Sequence, residues 1–285
     1  MRLALISDIH GNLTALEAVL ADLALAQPDR VICLGDVALD GPQPHQTVGR
    51  LRALGYPTIM GNTDDKLIQR AARLAKKAEQ ASATEPAATA DTGEPEPPAE
   101  LDDHQREKAV KNWTARQLTA DDLAYLGSFV PTLEVALGAG RTLLCCHGSP
   151  LSYHDRVQAT TPDVSLAPWL ADAEARGVAL VAGGHTHIQL LRRYHRMTLL
   201  NPGSVGMPIA EVAPGQFRLL PWAEYALITT DDAGDGSDGA VGRRAEQGAL
   251  HIELRRIPYD TDAIVAAYLA SGMPHAEWMA TDWQA

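Results

Sequence analysis

Cysteine is scarce in this chain, three residues in 285, and no CxxC spacing suggests a structural zinc site. Cys145 and Cys146 are adjacent within an apolar run. Neighbouring residues of a strand point to opposite faces, which makes that pair a poor disulfide candidate. Aromatics are sparse at 5%, and Trp113 with the aromatics near it reads as core rather than as a base-stacking platform. No run of about 18 uncharged apolar residues offers a membrane span. The N-terminal apolar stretch is short and broken by Asp8, so a secretory leader is not expected and a cytoplasmic location is. A basic patch able to neutralise a duplex backbone is also missing from the sequence pattern, which argues against duplex nucleic acid as a partner.

What is present is ordinary globular material, 46% hydrophobic and long enough for a sizeable core. The net charge of −12 is unevenly spread. Eight acidic residues and no Lys or Arg fall between Glu79 and Asp103, and four more acidic residues lie in "DDAGDGSDG" at Asp231–Gly239. We read the chain as one domain over 1–285, carrying a flexible acidic, Pro-rich insertion at about 78–104. A mobile hairpin loop is expected at about 231–246.

Apolar runs of strand length alternate with helical patterns: "RLALIS" before Leu13–Ala24, "RVICLG" before "HQTVGRLRALG", and "YPTIMGN" before a long helix near Asp64. That alternation implies βαβ units and a parallel sheet. Further strands are expected at "TLEVAL", "RTLLCCHG", "VALVAGGHTH", "LLRRYHRMTLLNPGSV", Tyr225–Thr230 and Leu250–Ile257. Helices are expected at "HQREKAVKNWTARQL", at "TADDLAYLGSF" with Thr119 as N-cap, and at Thr261–Leu269.

Five of these apolar runs end in Asp, Asn or His beside glycine. They deliver Asp8 and His10, Asp36, Asn62, His147, and His185 with His187. In open α/β sheets ligands bind at the carboxyl ends of strands. Any one of these motifs also has an ordinary reading, Asp8 as a helix cap or Gly35-Asp36 as a turn, but five in one chain are hard to attribute to turns. The set is a mixed O/N donor group without thiolate, suited to Mn²⁺, Fe or Zn²⁺ rather than Ca²⁺. Seven donors exceed what one ion takes from protein. Two ions about 3.5–4 Å apart and sharing one carboxylate would use them all, with Asp36 the natural bridge.

The ordered motifs Asp8-Ile9-His10, Gly35-Asp36, Gly61-Asn62-Thr63-Asp64, His147-Gly148 and Gly184-His185-Thr186-His187 resemble those of the calcineurin-like metallophosphoesterases. "LLNPGSV" at Leu199–Val205 resembles the bacterial, phosphodiesterase branch. The resemblance implies a four-layer αββα sandwich, with two mixed β-sheets packed face to face and helices outside. It implies one metal on Asp8, His10, Asp36 and His187 and another on Asp36, Asn62, His147 and His185, with Mn the first choice and Fe or Zn the alternatives. It further implies hydrolysis of a small phosphate ester by a metal-bridging hydroxide, with Asp36, Asn62 and His147 serving catalysis as well as ligation.

One departure bears on substrate. Many members carry His directly after the motif Asn, where it is thought to protonate the leaving group; here Thr63 stands there and cannot act as an acid near pH 7. That favours diesters with good leaving groups. Phosphomonoesters of nucleotides or phosphoproteins are the alternative within enzymes. A metal-retaining scaffold for protein assembly, as some relatives of this fold are, is the alternative outside them. Thr63 and Asn12 are candidate substrate contacts, Asn12 equally a helix cap. Asn201 and Ser204 either steady a metal-bound His or form a plain turn, and Asp40 is a supporting residue or a turn. His45, His154 and His195 read as surface or structural. Oligomeric state is not legible.

Overall fold

Side chains alternate across the first strand, β1 (Arg2–Ile6): Leu3 and Leu5 enter one buried cluster, Ala4 and Ile6 another. Both faces are dry, which is why the run is continuously apolar. The structure is a computed structural model that describes residues 1–82, 101–231, 248–281 and 283. Most of the expected insertion and nearly all of the loop at 231–246 lie outside the described residues.

Down the chain, β1 is followed by α1 (Leu13–Ala26), β2 (Arg30–Cys33), α2 (Pro44–Leu54) and α3 (Asn62–Ser82). Then come α4 (Asp103–Gln117), α5 (Ala120–Leu126), β3 (Leu133–Ala136) and β4 (Thr142–Cys145). Helix α6 (Asp163–Ala175) leads to β5 (Leu180–Ala182), β6 (Leu190–Tyr194) and β7 (Met197–Asn201). The hairpin β8 (Ile209–Ala213) and β9 (Gln216–Leu219) precedes the long strands β10 (Trp222–Thr230) and β11 (Leu250–Pro258). Helices α7 (Thr261–Ala270) and α8 (Ala276–Thr281) follow.

Two mixed sheets form. One runs β11-β10-β1-β2, with β1 and β2 parallel and β10 antiparallel to β1; the other runs β3-β4-β5-β7-β6, with β4, β5 and β7 parallel. Leu3, Leu5, Ile32 and Ile228 of the first sheet share a cluster with Val135, Leu143, Cys145 and Leu200 of the second, so the sheets face one another. Behind the first sheet Ala4, Ile6 and Leu227 pack against Leu16, Val19 and Val48 of α1 and α2. Behind the second, Leu144, Val181 and Leu199 pack against Leu166 and Leu170 of α6. This is the αββα sandwich that the sequence resemblance implied. Cys145 faces the inter-sheet core and Cys146 the outer layer, and all three cysteines are free and buried.

Three local expectations are corrected. "YPTIMGN" contributes only isolated bridges, Cys33 with Thr58 and Ile59 with Val130, because Pro57 lacks an N–H for a ladder. Helix α3 continues past Ala78 to Ser82 on good helix formers, Lys76 to Gln80. At the other end of the expected insertion, α4 already begins at Asp103, because Asp102 and Gln105 close a capping box. Thr119 caps α5 as expected. Trp113 packs on the cluster of Ile264, Tyr268 and Met273, a core role. Among the described residues no helix is long and apolar enough to cross a membrane.

Candidate metal centre

Two parallel pairs of strands, β1 with β2 and β4 with β5, end in the loops that carry six of the seven candidate ligands, and Asn62 opens α3. The loops pair with one another beyond the strands: Asp8 N–H donates to the Gly35 carbonyl at 2.9 Å, His10 N–H to Asp36 at 3.0 Å, and Gly184 N–H to His147 at 2.7 Å. Asp8, His10, Asp36, His185 and His187 all have positive φ, between 50° and 67°. Left-handed backbone costs a non-glycine residue about 1–2 kcal/mol, and such residues gather where function requires them. Glycine serves close approach here. A Cβ on Gly61 would lie 2.1 Å from Asp36 Oδ1, and one on Gly184 would lie 2.4 Å from Asp8 Oδ2.

All seven side chains converge. Asp8, His10 and His187 place one potential ligand atom each within 4.8 Å of one another, and so do Asp36, His147 and His185. Donors bound at about 2.0–2.2 Å to a single ion stand at most about 4.4 Å apart, and in the first trio the three separations are 3.0, 3.3 and 3.9 Å. Asn62 Oδ1 joins the second trio, 3.0 Å from His147 Nε2. Asp36 Oδ2 lies 3.8 Å from His10 Nε2 and 3.4 Å from His147 Nε2, between the two trios. Its other oxygen, Oδ1, accepts the Thr63 N–H at 2.9 Å, so a single oxygen rather than two faces both trios. Asp8 is arranged alike: Oδ2 accepts from Ser7 Oγ at 2.6 Å while Oδ1 faces His187 Nε2 at 3.3 Å.

The protonation pattern tests whether these residues fit a metal. His10 Nδ1–H donates to the Leu39 carbonyl at 2.9 Å, His147 to Leu34 at 2.7 Å and His187 to Met207 at 2.8 Å. A carbonyl can only accept, so each Nε2 lone pair is turned inward. His10 Nε2 and His187 Nε2 then confront one another at 3.0 Å with no proton between them in the neutral state. Turned over, the Asn62 amide would donate its nitrogen to His147 Nε2 and His185 Nδ1; with oxygen inward it adds another lone pair. Facing lone pairs are unfavourable until a cation is placed among them, and the residues therefore fit two divalent ions.

The electrostatics agree. Burial would raise the carboxyls of Asp8 and Asp36, yet the imidazoles of His187 and His147 hold both below the usual carboxylate range. Burial opposes charge on His147, but Asp36 and Asp8 push it up to about 10. His185 falls to about 4 through burial and the neighbouring His147. The two buried carboxylates thus favour positive charge at this point, and a cation bound at His147 Nε2 would replace the proton they hold there.

A family model, the calcineurin-like phosphoesterase superfamily domain, matches residues 1–231. The chain belongs to the calcineurin-like phosphoesterase superfamily. It is also 25% identical over 282 residues to the uncharacterized protein MJ0912 of Methanocaldococcus jannaschii, covering 97% of this chain and 95% of that one. Among solved structures it is similar to a metallophosphoesterase from Sphaerobacter thermophilus, at 25% identity and TM-score 0.61, over 100% of this chain and 98% of the other. The hypothetical protein PH1004 from Pyrococcus horikoshii shares the fold, at TM-score 0.67 and 18% identity over 96% and 94% of the two chains.

Within this calcineurin-like frame the remaining candidates separate. Asn12 caps α1 through Ala15 N–H and donates to the Gly206 carbonyl and Tyr259 Oη, so its amide is committed to the fold. Thr63 supplies its N–H to Asp36, while its Oγ1 is buried with no partner among the described residues. Asn201 donates to the Gly184 carbonyl and Thr186 Oγ1, and Ser204 donates to the Asp8 carbonyl; both brace segments that carry ligands. Asp40 has φ of 75°, and burial raises its carboxyl. His45 pairs with Asp122 and His195 with Glu174, both away from the cluster. Asp64, the last residue of the Gly61-Asn62-Thr63-Asp64 motif, is a supporting residue that spacing alone does not single out. It is fully buried, accepts the N–H groups of Asp36, Val37 and Gly61, and is pushed up to about 7 by burial and by Asp36.

Proposed function

We propose that this calcineurin-like protein hydrolyses phosphodiesters with two divalent metal ions, Mn²⁺ first, with Asp8, His10, Asp36 and His187 around one and Asp36, Asn62, His147 and His185 around the other. The observation that carries the reading is the pair of trios with inward lone pairs, joined by Asp36 Oδ2. When bound, such ions lower the pKa of water from 15.7 towards about 7 and neutralise phosphate oxygens as charge develops.

The chain's own residues position the site. Asp64 fixes the Asp36 loop and the Asn62 loop in one hydrogen-bonded unit. The carbonyls of Leu34, Leu39 and Met207 hold three imidazoles in one tautomer. Nothing at Thr63 donates a proton to a leaving group near neutral pH, and general acid catalysis is typically worth about 10²–10⁴-fold. Esters with good leaving groups are therefore the favoured substrates. The free, buried cysteines fit a reducing compartment and support a cytoplasmic location.

The test is a substrate panel with Mn²⁺ supplied. Bis(p-nitrophenyl) phosphate should be turned over with a higher kcat/KM than simple alkyl phosphomonoesters. The reverse order would favour the monoesterase reading, and full metal occupancy without turnover of any ester would favour the scaffold.

A further inference from the structure

Beside the metal centre lies a cleft of about 270 Å³ lined by Leu39, Lys66, Leu67, Arg70, Arg73 and Lys111. Lys66, Arg70 and Arg73 stand at i, i+4 and i+7 on α3, one face of the helix, and Lys111 reaches in from α4. Like charges at these spacings repel one another along a helix face. Among the described residues none of Lys66, Arg70 and Arg73 has a carboxylate partner; Arg70 donates to Asn112 Oδ1 at 2.8 Å, and Lys111 is paired with Glu107 at 2.7 Å. Burial and the adjacent Arg73 cation hold Arg70 below the usual guanidinium range.

The cleft and the metal centre share walls. The Leu39 carbonyl that holds His10 belongs to a residue lining the cleft, and Lys66 Nζ lies 3.3 Å from the outer end of the Asn62 amide. We infer that this cleft is a second anion site, which takes a further phosphoryl group of a substrate whose scissile ester lies over the metal centre. The inference rests on the phosphoesterase reading and narrows it. The substrate class becomes small phosphate esters carrying at least two phosphoryl groups. The volume lies just below the range of ordinary ligand pockets, which suits a phosphorylated fragment better than a strand of nucleic acid.

The test uses the Mn²⁺-loaded protein and its Arg73→Ala/Lys111→Ala variant, which leaves Lys66 and its contact with Asn62 in place and should not lower the melting temperature. Calorimetric titration with tripolyphosphate should show at least tenfold weaker binding to the variant, with orthophosphate binding unaltered; tripolyphosphate affinities within twofold of each other would overturn the inference. Two aryl diesters then report on catalysis: thymidine 5′-(p-nitrophenyl phosphate) and the same compound with a 3′-phosphate. The wild type should show a KM about tenfold lower for the second and the variant no difference, with kcat for the first kept within twofold in both. If neither compound is hydrolysed, the phosphoesterase reading fails while the titration still decides the cleft. If both are hydrolysed with equal KM by the wild type, the reading stands and the second site falls.

Discussion

Asp64 accepts the Asp36 N–H at 2.8 Å through Oδ2, and the same oxygen accepts the Gly61 N–H at 3.1 Å. One buried carboxyl thus ties the loop after β2 to the first turn of α3, holding Asp36 and Asn62 in register. Removing a buried acceptor strands its donors, at about 1–3 kcal/mol each. Asp64→Ala should lower stability by several kcal/mol, read by thermal melting. Asp64→Asn, which keeps one carbonyl acceptor, should recover part of it.

Asp36→Ala and Asn62→Ala act on the site rather than on the fold. Both should reduce metal-dependent turnover by about 10²–10³-fold or more while leaving the circular dichroism spectrum unchanged. Near-normal activity in both would overturn the assignment of the centre.

Gly184→Ala separates crowding from chemistry. The new methyl would sit 2.0 Å from Ser7 Oγ and 2.4 Å from Asp8 Oδ2, so Ser7 and Asp8 must both shift to relieve it. Overpacking of this kind costs about 1–3 kcal/mol. Elemental analysis should find less than two metals per chain, and the melting temperature should fall.

Glu224 predicts a pH dependence away from the metals. Its side chain is 2% exposed, its Oε2 has no partner among the described residues, and burial pushes it up to about 7 against the opposing Trp222 N–H and Arg256. The folded protein therefore binds a proton that the unfolded chain, with an ordinary value of 4.5, releases. Stability from this group is present below about pH 4.5 and is lost as pH rises towards 7. Glu224→Gln should raise stability at pH 8 by on the order of 2–3 kcal/mol and change it little at pH 4. Calorimetric melts at the two pH values check the sign.

Six of the candidate ligands were legible in the sequence because each follows an apolar run that must be buried and stands where such a strand ends; Asn62 follows an apolar run that forms only isolated bridges. Their backbone was not. Positive φ at Asp8, His10, Asp36, His185 and His187 leaves no mark in residue type beyond the tolerance of Asp and His for that region. Helix α6 was missed because Pro162 offers no capping side chain and Pro168 interrupts the pattern. The basic cleft was hidden by a net acidic composition, since its cations come from two helices and meet only after folding. Asp64 was visible as a letter of the motif, but its three backbone partners are long-range or turn contacts that spacing does not reveal.

The five left-handed candidate ligand positions imply that this fold would be sturdier with other residues there. Glycine at any of them would relieve conformational tension and dissolve one corner of the pocket at once. A chain freed from any need to bind ions would gain thermal resilience by giving up these side chains, so the sequence as it stands sets durability against work.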